Sequence, residues 1–206
     1  MPDVPLAKLF VLLFMMTGPL RVVPAFAGLT HGLDAPSRSR LALRGVLFAA
    51  VGVLLAVFIG HSVLKSWGAT PQALATATGL LLLLTALPVV LGWGPTEQPN
   101  ASIGNQHESR MAISPLAFPT ILPPFAVGVL ILFGAYFPGM ESQLKMIGLS
   151  YALLVADFIA MRYARQILAA VGVNTLQLLG AVFGVLQLSL AVQMIFWGVK
   201  STFVPD

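Results

Sequence analysis

The chain has 206 residues, of which 58% are apolar and 9% charged, with a net charge of +4 and no cysteine. A soluble domain carries about 25% charged residues, so the composition excludes a soluble enzyme, a disordered chain and a separate extramembrane domain. The lack of cysteine excludes disulfides, thiol catalysis and cysteine-ligated metal sites, and basic residues scattered between apolar runs fit loops beside anionic lipid rather than a nucleic-acid surface.

A helix needs about 20 apolar residues to cross the hydrocarbon core. Six runs reach that scale, at roughly 6–29, 43–63, 72–92, 113–136, 146–161 and 175–198. They do not alternate as barrel strands would, and backbone groups in lipid must bond within their own segment. The expected fold is therefore an all-α membrane protein with six transmembrane helices.

The first run carries Gly18-Pro19 and Pro24 around its middle. It also has a rival reading as a secretory signal, with Lys8 as the charged start and Ala25-Phe26-Ala27 as the cleavage site. A counterpart later in the chain argues against cleavage. The second run has a basic entry at Arg38, Arg40 and Arg44, and the third holds Gly79 and ends at Gly92. A polar stretch, 95–112, reads as a linker. The fourth run is again interrupted by proline, at Pro115, Pro119, Pro123 and Pro124. The fifth contains Asp157, and the sixth contains Gly184 with Gln177, Gln187 and Gln193.

The order is thus broken helix, basic-flanked helix and Gly-containing helix, and then the same again. Residues 1–94 form the first unit and 113–206 the second. Three crossings per unit is an odd number, so the second unit enters the membrane upside down. Two inverted three-helix repeats, with helices one and four discontinuous, is the plan of secondary transporters.

A proline inside a helix removes a donor and clashes with the preceding turn, at a cost of about 3 kcal/mol. Two half-helices meeting near the midplane offer N–H groups to a carboxylate and C=O groups to an ammonium. The expected binding residues for such a zwitterion are Gly18, Pro19, Arg21 and Pro24 on helix one, with Pro119, Thr120, Pro123 and Pro124 on helix four. The plainer alternative is that these are kinks for packing. Thr17, Thr78, Thr85 and Thr120 either meet solute or bond back to their own helices.

Arg21 lies deep in the first run, where a charge is costly. Asp157 lies at similar depth, both about 5 Å past the middle of parallel helices at 1.5 Å per residue. An intramembrane ion pair between them is one expectation. The other has Arg21 reaching the surface and Asp157 pairing with Arg162. Gly79 and Gly184 are expected to let helices approach closely, and the glutamines to bond between helices.

Enzyme signatures are missing. His107-Glu108 starts a zinc-protease pattern, but Met111 stands where the second His is required. No metal or cofactor is expected. Loops on one side hold Lys8, Lys65, Lys145 and Lys200; the other side holds Arg38, Arg40, Arg44, Arg110, Arg162 and Arg165. That balance places the arginine side in the cytoplasm and both termini outside.

These motifs resemble the MarC family of bacterial and archaeal inner-membrane proteins. The segment from Gly18 to Phe26 is similar to the family's Asn/Asp-Pro-x-Gly-x-x-Pro-x-Phe. Pro115-Leu116-Ala117-Phe118-Pro119 is close to its Pro-Leu-Ala-x-Pro, and Ala191-Val192-Gln193-Met194-Ile195 is the most specific match. The resemblance implies an inner-membrane location and transport of small neutral amino acids, with H⁺ or Na⁺ coupling open. Departures fall at the breaks. Gly18 replaces a polar residue, Arg21 a glycine, and Pro123-Pro124-Phe125 a Gly-Pro-Gly; Ala75 and Ala181 stand where the family often has arginine. The alternative function is a non-transporting membrane protein that supports a partner subunit, and the oligomeric state is left open.

Overall fold

The computed structural model describes residues 6–92, 112–137 and 139–203. They are helical, with no strand among them. The expected linker lies outside the described residues apart from Ala112. Helices α1 (Leu6–Thr17) and α2 (Pro19–Leu29) are followed by α3 (Ala35–Phe58), α4 (Gly60–Ser66) and α5 (Pro71–Leu91). After the linker come an irregular helical segment, α6 (Ala112–Ile121), then α7 (Pro124–Tyr136), α8 (Met140–Arg162), α9 (Ala164–Val171) and α10 (Val173–Phe203).

Among the described residues, α3, α5, α8 and Asn174–Phe203 of α10 are long and apolar enough to cross a membrane. The pair α6 and α7, bent by 61°, makes a fifth crossing if taken as one span. The sixth expected crossing is split. With 12 and 11 residues, α1 and α2 reach about 18 and 16 Å at 1.5 Å per residue, and neither spans the core alone.

The breaks have local causes. Gly18 takes an extended conformation (φ −69°, ψ 168°) and hands the chain to Pro19, the first residue of α2. Proline suits that first position, where an N–H would have no helical partner. Pro24, expected to bound the break, lies inside α2, which runs through it. In α6, Ser114 and Phe118 are extended, near φ −135° and −133°. Each precedes a proline, whose ring disfavours helical geometry in the residue before it. At the start of α7, Pro123 is extended and Pro124 opens the helix.

Two short helices fall in or across the gaps between the expected runs. α4 carries His61 and Lys65 just before exposed Trp67, and α9 turns Ala164 inward while Arg165 and Gln166 stay exposed. The start of α5 is capped by Thr70, whose hydroxyl oxygen accepts from the Ala73 N–H at 3.2 Å. Its end is closed by Gly92 in the left-handed region, which glycine enters without steric cost.

The most extensive contact joins α5 to α10, and the next joins α3 to α8. The core draws Leu9 and Leu13 from α1, Val22, Val23 and Phe26 from α2, and Phe125 and Val129 from α7, with Met146 and Met161 from α8. α10 leaves Leu178, Val182, Val185 and Phe196 exposed, as suits a surface that lipid covers.

Glycines set the closest approaches. A Cβ on Gly79 of α5 would sit 2.8 Å from the Ala191 carbonyl oxygen of α10. One on Gly184 of α10 would sit 2.8 Å from a Val90 methyl of α5. On α3, Gly45 and Gly52 are seven residues apart on one face, and they seat Leu116 and Leu122 from the broken fourth helix.

Candidate functional site

Helix one stops because Gly18 leaves helical geometry, and Pro19 has no N–H to continue the ladder. The carbonyl of Met15, four residues before Pro19, therefore loses the donor a continuous helix would give it. Gln187 of α10 supplies one: its side-chain amide donates to the Met15 oxygen at 2.6 Å. The expectation that a sixth-helix glutamine bonds between helices is thus met by a specific partner.

Beside this break lies a small cavity. Leu13 and Thr17 line it from the end of α1, and Ile121 and Leu122 from the break before α7. Val53 of α3, Leu130 of α7 and Ser150, Leu153 and Leu154 of α8 complete the wall. Its free interior has room for about one water.

Two hydroxyls are its polar side chains. Thr17 donates to the Leu13 carbonyl and Ser150 to the Met146 carbonyl, each at 2.8 Å. Each proton is thereby committed to the residue's own helix, while the oxygen keeps lone pairs that can accept. The polar wall therefore offers acceptors, which suit an ammonium group or a water.

None of the eight residues expected to bind solute lines this cavity. Gly18 adjoins Thr17, and Thr120 and Pro123 flank Ile121 and Leu122, so these three sit beside the lining, and the wall is mostly apolar. Pro119 is exposed and Pro123 buried. Val53, Ser150, Leu153 and Leu154, on helices two and five, were not anticipated. Ser150 and Asp157 lie seven residues apart, two turns along one face, and that spacing was legible.

The expected Arg21–Asp157 pair is not made. Arg21 places its guanidinium over the Phe125 ring, 5.4 Å from the centroid, a cation–π contact between α2 and α7. Arg21 and Phe125 stand where the resembled family carries glycines, and the two departures touch. Asp157 is fully buried, and neither carboxylate oxygen has a hydrogen-bond partner. Arg162, its alternative partner, bonds instead to the Ser39 hydroxyl at 3.0 Å. Of the four threonines, Thr85 bonds back to Leu81 and Leu82, as Thr17 does to Leu13. The Thr78 hydroxyl is buried without a partner, packed against Gly128. Among the described residues no group of three or more His, Cys, Asp or Glu side chains is placed to hold a metal ion.

Residues 4–203 match the family described as MarC family integral membrane protein. A UPF0056 membrane protein of Pyrococcus abyssi is 26% identical, over 96% of this chain and 95% of its own length. One from Buchnera aphidicola subsp. Schizaphis graminum is 24% identical over 95% and 92%, and the UPF0056 membrane protein YhcE of Escherichia coli 22% over the same shares. No solved structure matches. With multiple apolar spans and a family match over nearly its full length, the chain is a multi-pass integral membrane protein that belongs to the MarC family.

Proposed function

We propose that this protein is a secondary transporter of a small solute, a small neutral amino acid such as glycine or alanine, in the bacterial inner membrane. The observation that carries the reading is the cavity bounded by both breaks at once, with Thr17 on one side and Ile121 and Leu122 on the other. Discontinuous helices meeting at a cavity are how transporters expose backbone polar groups to a solute inside lipid.

The element order supports two inverted repeats of three crossings. A broken helix, a long helix, a short helix and a long helix (α1–α2, α3, α4, α5) are followed by the same series (α6–α7, α8, α9, α10). The second crossing of each half packs on that of the other, α3 on α8, and the third likewise, α5 on α10. Such pairing is what a two-fold relation between halves produces. Thr17 and Ser150 then accept from the ammonium of a zwitterion. The free interior has room for about one water, so admission of the solute requires the half-helices to move.

A second reading has its own observation. The Arg21–Phe125 contact joins α2 to α7 just past the two breaks, as a packing role in a non-transporting protein with a partner subunit would require. Uptake of labelled glycine and alanine into proteoliposomes separates the two. Uptake above protein-free vesicles that Ser150→Leu abolishes supports the carrier. No flux of either, with a subunit that co-purifies in stoichiometric amount, supports the partner role.

A further inference from the structure

We infer that Asp157 is a proton site, loaded and unloaded as the broken helices open the cavity to one side and then the other. The buried residues of α8 form a stripe through Ser150, Leu153, Leu154 and Asp157. The first three line the cavity, and Asp157 continues the same face one turn past Leu153 and Leu154. At 1.5 Å per residue it stands about 10 Å along the axis from Ser150, between the cavity and the Arg162 end of the helix.

Its surroundings give it no structural employment. Both oxygens are buried without a hydrogen-bond partner, and a buried carboxylate that makes no hydrogen bond is costly to hold. The packed elements carry few charges: Lys8 on α1, Arg21 on α2, Arg38, Arg40 and Arg44 on α3, and Arg165 on α9, with Tyr136 on α7. On α8 itself stand Glu141, Lys145, Tyr151 and Arg162. None of their described side chains hydrogen-bonds to Asp157. Arg21 faces Phe125, Arg162 bonds Ser39, Lys145 pairs with Glu141 at 2.7 Å, and the Tyr151 hydroxyl donates to Ala50.

A metal cation would need several oxygens around it, and Asp157 has no polar neighbour within bonding distance. A proton needs one oxygen. In the loading step water delivers H⁺ to a carboxylate oxygen and an O–H bond forms; in the unloading step that bond breaks and the proton returns to water on the opposite side. An ionisable group inside a membrane span that faces the bundle interior marks a substrate, ion or proton path by default.

The coupled cycle rests on the transport reading, but the proton site itself does not, and the test separates them. Infrared spectra of the purified protein in lipid nanodiscs are recorded across a pH titration for the wild type, Asp157→Asn and Asp157→Glu. The wild type is expected to show a protonated-carboxyl carbonyl band that titrates away as pH rises. Asp157→Asn should lose it and Asp157→Glu should shift it, each variant eluting as a single species from size exclusion. Identical carboxyl bands in all three proteins overturn the proton site, whatever the flux data say. In proteoliposomes, an inward pH gradient should accelerate labelled glycine uptake by the wild type. Asp157→Asn should lose that acceleration while keeping glycine exchange at equal pH. An undiminished gradient response in Asp157→Asn also overturns the site. Absence of glycine or alanine flux in every protein counts against the transport reading, and the infrared band alone then decides the proton site.

Discussion

Gln187 on the last helix donates its side-chain amide, at 2.6 Å, to the Met15 carbonyl on the first, the acceptor that Pro19 leaves without a helical donor. A covalent fact about one residue thus creates a need that a side chain some 170 positions away meets. Without that amide, helix one would carry an unsatisfied carbonyl beside an apolar cavity.

Replacing Gln187 with Leu should therefore lower stability by about 1 kcal/mol, the scale of a hydrogen bond between membrane helices. Thermal unfolding in detergent reads this directly. In a Pro19→Ala background, where residue 19 regains its N–H, the same substitution should cost less. Equal losses in both backgrounds would mean that the proline and the glutamine are not coupled.

The contact between Arg21 and Phe125 should register in a double-mutant cycle. Arg21→Leu and Phe125→Leu are each expected to destabilise, and the double variant by less than their sum. The coupling should be about 0.5–2 kcal/mol, the range of a partly desolvated cation–π pair. Melting temperatures of the four proteins in one detergent give the value. Strict additivity would show that the two side chains act independently.

The two packing glycines should not be equivalent. Alanine at position 79 drives a methyl onto the Ala191 carbonyl, which belongs to the α10 backbone, whereas at 184 it meets a Val90 methyl that can rotate away. Gly79→Ala should cost about 1–3 kcal/mol through overpacking, and Gly184→Ala less. Thermal unfolding of both variants checks the order, and the reverse order would contradict the α5–α10 geometry.

Leu122 both lines the cavity and rests on Gly52 of α3, where an added Cβ would lie 2.7 Å from its methyl. Gly52→Val should push Leu122 towards the cavity and reduce glycine uptake at least about tenfold, equivalent to about 1.4 kcal/mol. Gly28→Ala is the control, because nothing lies within 4 Å of its added Cβ. Uptake by both variants, normalised to folded protein, distinguishes a local effect on the cavity from general damage.

The chain by itself determined the solvent and the type of every long element. A composition so poor in charge leaves lipid as the only medium, and lipid leaves helices as the only form for runs that do not alternate. It also pointed to breaks at Gly18-Pro19 and before Pro124, because proline's missing N–H and its effect on the preceding residue are local properties, although α2 runs through Pro24. Only the tertiary structure decided what surrounds those breaks. Thr17, Leu122 and Ser150 share a cavity, Arg21 meets Phe125 rather than Asp157, and Asp157 is left alone on the cavity-facing stripe of α8. Depth along a helix follows from a count of residues, which is why a pair between Arg21 and Asp157 was an expectation. Which side chains then touch depends on the rotation and spacing of each helix. Those are set where Gly45, Gly52, Gly79 and Gly184 admit a neighbour, and contacts between distant segments have no period in the sequence from which to read them.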